Sequence, residues 1–239
     1  MKLFSALLLI LFTSFHTNNN GEDVLAKMYK KYAGKWMTSF TFSQTTEMYR
    51  NDSLIKTATW YENILYPDKF RIDFGAKDSG NAAIFTKDSV YRFKNKMLTH
   101  TSSNDDDLTF MLGGMYFYSF DTVKAVLKRS GYDLNKSYET KFNGIDVDVI
   151  GANNATDSSN QLWIDKDKLV VVKFISDDHG EKLEGIFKDH KQFGNSWSET
   201  ACDFYVDGKL IQKEKYFDCK ANVSINPKIF DYNHFIPLE

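Results

Sequence analysis

The side chains able to carry chemistry in this 239-residue chain are few and dispersed. Its five histidines, His16, His100, His179, His190 and His234, sit among polar residues, and none is spaced as a metal ligand. Solvated imidazoles fit such positions better than a metal centre. One carboxylate–histidine grouping occurs, DDHGE over Asp177 to Glu181, and a hydrolase built on it would need those groups to converge on a pocket. That stretch falls where a hairpin turn is expected. The run Asp105 to Asp107 lacks the alternate spacing and turn glycine of a calcium loop, and suits the start of a helix. The chain contains no phosphate-binding glycine loop, G-x-S-x-G elbow, H-E-x-x-H pair or C-x-x-C. No enzymatic activity, metal or cofactor is expected.

The two cysteines would pair in an exported protein only if the fold brought them together. Asp207-Gly208 between two strand-like runs marks a two-residue hairpin turn. That register sets Cys202 opposite Lys213 and Cys219 opposite Ser196. The sulfurs then lie about 20 Å apart, at ~3.3 Å of rise per residue, which no disulfide spans. Both thiols are expected to be free.

The sequence is rich in apolar surface rather than in reactive groups. Aromatic residues make up 15% of it, with 20 Phe and 13 Tyr, an excess that suits strands and apolar clefts. A net charge of −2 and a pI near 6.2 give no electrostatic case for nucleic acid or an anionic membrane surface. The stretch YPDKFRIDF, Tyr66 to Phe74, alternates strictly: Phe70, Ile72 and Phe74 share one strand face, while Lys69, Arg71 and Asp73 share the other.

The elements that would position this surface follow in order. Residues 1–20 read as a signal peptide, one Lys followed by an apolar run from Leu3 to Phe15 too short to span a bilayer comfortably; an uncleaved anchor is the alternative. No cysteine follows that run to receive a lipid. An amphipathic helix carries Val24, Leu25, Met28, Tyr29 and Tyr32 on one face. Strands follow, with a turn at Asn51 to Ser53, a return at Pro67 and a short pair around Lys87-Asp88. Residues 104–131 then break the pattern: helix-start residues Asp105 to Asp107, an apolar cluster with Gly113-Gly114, and a helix capped by Asp121 running Thr122 to Arg129. Strands resume, with turns at Asn143-Gly144, Asp165 to Lys168, Asp178 to Gly180 and Asp207-Gly208. No linker interrupts residues 21–239, which read as one domain.

In this order the motifs resemble the periplasmic outer-membrane lipoprotein carrier family, the LolA/LolB-like proteins. Its F-x-Q strand is matched by Phe42 to Gln44, its Pro-x-x-F turn by YPDKFRI, and its third motif by KDSVYRF, Lys87 to Phe93. The paired strands around D-x-x-G are matched by LWIDKDKLVVVKFISDDHGEKLEGIFKDHKQFG, and the match runs from Val24 to Gly194. The family's usual Gly-Trp is here Ser89 and Tyr91, the arginine some carriers place before the turn proline is Tyr66, and the hairpin 196–219 extends past the match.

The resemblance implies a mainly β fold of the α+β class: an unclosed, curved antiparallel half-barrel, with an N-terminal helix and a helical lid insertion on its concave face. Phe40, Phe42, Trp60, Ile64, Phe70, Ile72 and Phe74 would line a hydrophobic cavity, and Leu108, Phe110, Met111, Leu112, Met115 and Phe117 would form the lid. A turn pairing Tyr66 with Phe70 also puts Glu62 on that face. The implied function is a non-catalytic, monomeric periplasmic binder or carrier of lipid acyl chains or lipidated proteins, passing them to an envelope acceptor protein. The alternatives are an envelope module of the same fold with a filled core and, third, the hydrolase near His179.

Overall fold

The computed structural model describes residues 20–104, 108–178 and 180–238. The expected leader lies outside them except for Asn20, whose side chain accepts from the Asp23 amide at 2.9 Å and starts helix α1, Gly21–Tyr32. Val24, Leu25, Met28 and Tyr32 are the buried face of that helix, as their spacing requires.

Six strands follow as a meander: β1 Ser39–Arg50, β2 Ser53–Leu65, β3 Lys69–Phe74, β4 Ala82–Phe85, β5 Ser89–Lys94 and β6 Met97–Ser103. The helical insertion comprises a single turn α2, Leu108–Met111, a 3₁₀ turn over Gly114–Phe117, and α3, Phe120–Arg129. Five more strands run β7 Ser137–Phe142, β8 Ile145–Ile150, β9 Gln161–Asp165, β10 Val171–Asp178 and β11 Glu181–Lys188. A small ribbon, β12 Lys191–Phe193 and β13 Ser196–Ser198, stands apart, and β14 Ala201–Val206 with β15 Lys209–Ala221 completes the main sheet.

That sheet has 13 antiparallel strands among the described residues, in the order β6-β5-β4-β3-β2-β1-β15-β14-β11-β10-β9-β8-β7. Its edges, β6 and β7, do not meet, so it is an unclosed, curved half-barrel. The C-terminal hairpin is not an appendage: β15 pairs with β1 and joins the two meanders at the centre. Turns at Asn51-Asp52, Asn143-Gly144 and Asp207-Gly208 all carry positive φ at both central residues, the twist that two-residue hairpins need.

Three local readings are corrected. Ser119, not Asp121, caps α3, its hydroxyl accepting from the Thr122 amide at 3.2 Å, and Asp121 lies in the first turn. Across β2 and β3 Phe70 faces Ile64 rather than Tyr66. The two-residue shift keeps every side chain on its expected face. In the last hairpin Phe204 faces Gln212 while Tyr205 faces Leu210, so Ile211 bulges out and Cys202 lies opposite Glu214 instead of Lys213. Ser196 pairs with Phe193 in the side ribbon, away from Cys219. Both cysteines are free nonetheless.

The helices occupy one half of the concave face. Gly21 brings α1 so close to β8 that an added Cβ would sit 2.7 Å from Ile150 and 2.9 Å from the Lys136 carbonyl. Lys124 ties α3 to α1 through Glu22 at 3.0 Å, and Tyr29 donates to the Tyr118 carbonyl at 2.7 Å. Val123 and Leu127 of α3 then bury completely with Val147, Val149 and Ile164 of the sheet. Each such side chain is worth ~1.5–3 kcal/mol relative to exposure. On the convex face, a second core forms where residues 225–238 fold back over β3 to β5, bringing Ile229, Phe230 and Phe235 onto Ile84 and Phe93. Arg71 is fully buried beneath them, bidentate to Asp73 at 2.7 and 2.6 Å and donating to the Ile229 and Ile236 carbonyls.

Candidate functional site

The other half of the concave face is not filled. A cavity of about 280 Å³ lies there, walled by β1 to β4 on one side, β11, β14 and β15 on the other, and α2. It is nearly twice the roughly 150 Å³ of an engineered apolar cavity that takes up benzene, and approaches the ~300 Å³ at which ligand pockets begin.

Strand alternation builds the apolar lining. Phe40 and Phe42 of β1, Trp60 and Ile64 of β2, Phe70 and Ile72 of β3, Leu108 of α2 and Leu112 just after it all line it. Phe42 stacks on Tyr216 of β15 at 4.2 Å, and Phe70 on Phe85 of β4 at 5.0 Å. The remaining expected residues lie elsewhere. Phe74 is one step past the wall, packed edge-on against Trp60 at 4.9 Å. Phe110 turns toward Tyr118, Met111 and Met115 are buried in the main core, and Phe117 lies outside, parallel to Tyr66 at 5.8 Å. The reason is α2's length: one helical turn presents only one side to the cavity, spacing Leu108 and Leu112 onto it.

The glycine pair is set by close approach. A Cβ on Gly113 would lie 2.2 Å from the Trp36 indole nitrogen, and one on Gly114 2.7 Å from the Pro67 carbonyl. The pair therefore lets the insertion press onto the core beside the cavity.

The lining is not purely apolar. Glu62 of β2, Glu199 in the link before β14 and Glu214 of β15 all face the cavity. Glu62 and Glu199 are 7% and 8% exposed. Burial pushes the Glu62 carboxyl well up, and the charges of Glu214 and Glu199 push it further. Burial likewise takes Glu199 to about 7. Glu214 is also raised, although Tyr216 donates to its Oε2 at 3.0 Å and Gln212 to its Oε1 at 2.6 Å. Beside them the buried Cys202 thiol is pushed up by desolvation and contacts the Tyr216 hydroxyl at 3.2 Å. Sequence reasoning placed Glu62 here but missed Glu199 and Glu214. Alternation in β15 sets Gln212, Glu214 and Tyr216 on one face, but only the bulge at Ile211 turns that face inward in place of Lys213.

The other candidate groups lie apart from this cavity or outside the described residues. Asp105 to Asp107 and His179 lie outside the described residues, and the Asp177 carboxyl accepts the Gly180 amide at 2.9 Å in its turn. His190 is on the far side of Glu199, against a space of about 10 Å³, and burial lowers its pKa. Among the described residues no group of His, Cys, Asp or Glu could hold a metal ion.

No protein-family model matches the sequence, and no curated protein does. Solved structures do resemble it in fold. A DUF1329 family protein from Desulfovibrio piger aligns over 88% of this chain and 95% of its own, with a TM-score of 0.61 and 15% identity. A putative outer membrane lipoprotein-sorting protein domain from Vibrio parahaemolyticus aligns over 89% and 97%, at 0.62 and 13%. A LolA superfamily protein from Nitrosomonas europaea aligns over 90% and 99%, at 0.56 and 12%. The fold is LolA-like, and identities this low speak to the fold alone.

Proposed function

We propose that this protein is a non-catalytic binder or carrier of an aliphatic ligand, a lipid or the lipid portion of a modified protein, working in the periplasm. The observation that carries the reading is the cavity of about 280 Å³, left open beside helices that could have filled it and lined mainly by aromatic and aliphatic side chains. Packing elsewhere is close enough that such a space is not a by-product of a loose fold.

Ligand size follows from volume. A single aliphatic chain suits the cavity as it stands, whereas several chains would require α2 to move. Each buried methylene contributes about 0.8 kcal/mol, so one fatty chain contributes on the order of 10 kcal/mol before ordering costs. Walls that already stack in pairs keep the empty protein soluble, since an open apolar face of that area would associate. The fold shared with a lipoprotein-sorting domain and a LolA superfamily protein adds support.

The test is mass spectrometry of organic extracts from protein purified from its own cells without detergent. Stoichiometric co-purified lipid is expected. Protein that yields no lipid and takes up no neutral apolar probe would leave an envelope module with an unused cavity.

A further inference from the structure

Resting on that reading, we propose that the cavity selects its ligand by charge: its occupant is an amphiphile whose aliphatic body carries a cationic, hydrogen-bond-donating amine, seated against Glu62 and Glu199. A plain fatty chain would leave these groups unanswered.

The cavity wall holds more acceptors than donors. Glu214 is satisfied by Tyr216 and Gln212. Glu199 has only its own backbone amide and Ser198, whose hydroxyl reaches Oε2 at 3.5 Å while donating to the Glu199 carbonyl at 3.1 Å. Glu62 is 93% buried, lines the cavity between Phe42 of β1 and Ile72 of β3, and has no hydrogen-bond or ion-pair partner among the described residues. Gln44, which shares the β1 face with Phe42, has its Oε1 buried and without a donor, while its amide serves Thr46 at 3.0 Å and Glu214. No lysine, arginine or histidine forms an ion pair with any of the three glutamates among the described residues. An unpaired buried polar atom such as the Gln44 Oε1 costs ~1–3 kcal/mol, and the Glu62 carboxyl opens onto the cavity, where only water or an occupant can answer it. The outward Lys213 shows how near the alternative lies: without the Ile211 bulge its ammonium would face Cys202 and neutralise the cluster.

Every titratable group facing Glu62 points the same way. Glu214 from β15, Cys202 from β14 and Glu199 from the preceding link are neutral or negative and each raises a neighbour's pKa by its charge, while the neutral Tyr216 hydroxyl lowers Glu214 and Cys202 by hydrogen bonding. Burial and mutual repulsion therefore favour the protonated carboxyls in the empty cavity. An arriving amine supplies the donor and positive charge, and a carboxyl releases its proton to water. A metal ion is the poorer candidate, because the carboxyls form no group that could coordinate one.

The experiment uses three ligands of equal chain length, dodecylamine, dodecanol and dodecanoate. Each competes for the full chain against the neutral probe N-phenyl-1-naphthylamine at pH 7.5. The amine should displace the probe at a concentration at least tenfold below the alcohol, and dodecanoate should be the weakest. Glu62→Gln, nearly isosteric, should bring the amine to within about threefold of the alcohol. Glu199→Gln serves the same purpose should Glu62→Gln melt early. An amine no better than the alcohol, or a preference surviving both substitutions, overturns the inference while leaving the carrier reading standing. Failure of all three ligands and the probe to bind overturns both.

Discussion

Between pH 5 and pH 8 the buried glutamates should cost the fold stability, and Glu199 is the one whose share can be worked out. Its carboxyl moves from 4.5 to about 7, chiefly through burial, with the charge of Glu214 adding and hydrogen bonds opposing. The folded-state pKa lies above the unfolded one, so over this range the native protein holds a proton that the unfolded chain has released. Stability therefore falls as pH rises, beginning near 4.5 and levelling off above 7. At about 1.4 kcal/mol per pH unit, integration gives a loss of ~2.5 kcal/mol between pH 5 and pH 8. Glu62 and Glu214 shift in the same direction. His190 opposes them, because burial lowers its pKa and the native state gains as pH rises toward 6.5. Comparing the wild type with Glu199→Gln at each pH cancels the distant groups, and His190 as well, since its shift does not arise from Glu199. Urea unfolding at pH 5, 6, 7 and 8 should show the variant's advantage growing by about 2.5 kcal/mol across the range. An advantage that stays flat, or shrinks with pH, would mean that Glu199 is hydrated in the native state and that the cavity is wetter than its lining implies.

Two further outcomes concern the rest of the molecule. Arg71→Met should cost ~3–5 kcal/mol in urea unfolding, because it strands Asp73 and two carbonyls in a dry site; adding Asp73→Leu should recover most of that, whereas a neutral single variant would place the guanidinium in water. Alkylation without reductant should modify both Cys202 and Cys219 after denaturation, and in the native state at most the half-buried Cys219, since Cys202 is fully buried; a denatured protein with no adducts would mean a disulfide.

Much of this fold could be read in advance, and the reasons are local. Asn143-Gly144 and Asp207-Gly208 select their turns through backbone conformations few other residues tolerate, and they set hairpins without help from the rest of the chain. The face of β3 followed from strict alternation, and the register error of two residues left it intact because strand period is two. What escaped depends on distant partners. The bulge at Ile211 is not written in its own residues, yet it decides whether Glu214 or Lys213 faces the cavity. The burial of Arg71 waits on a segment more than 150 residues later that folds back across the convex face. The insertion read as a lid of six apolar residues, but a single turn of helix can offer only Leu108 and Leu112, and Met111 and Met115 went to the core. Glu62 was legible as an oddity; its meaning needed Glu199 and Glu214 beside it.

The central claim is that this concave face holds an open apolar cavity, and Phe70→Glu tests it most directly. Phe70 is half-buried, stacks on Phe85 at 5.0 Å and lines the space without belonging to either buried core. A carboxylate there joins three others, and water can enter an open cavity to solvate it more readily than a packed core. Binding of N-phenyl-1-naphthylamine and the melting temperature should be measured together. Binding should weaken at least tenfold while the melting temperature falls by no more than a few degrees. A collapsed melt would make Phe70 ordinary core and the cavity filled, and unchanged binding with an unchanged melt would mean that nothing apolar is bound at this wall.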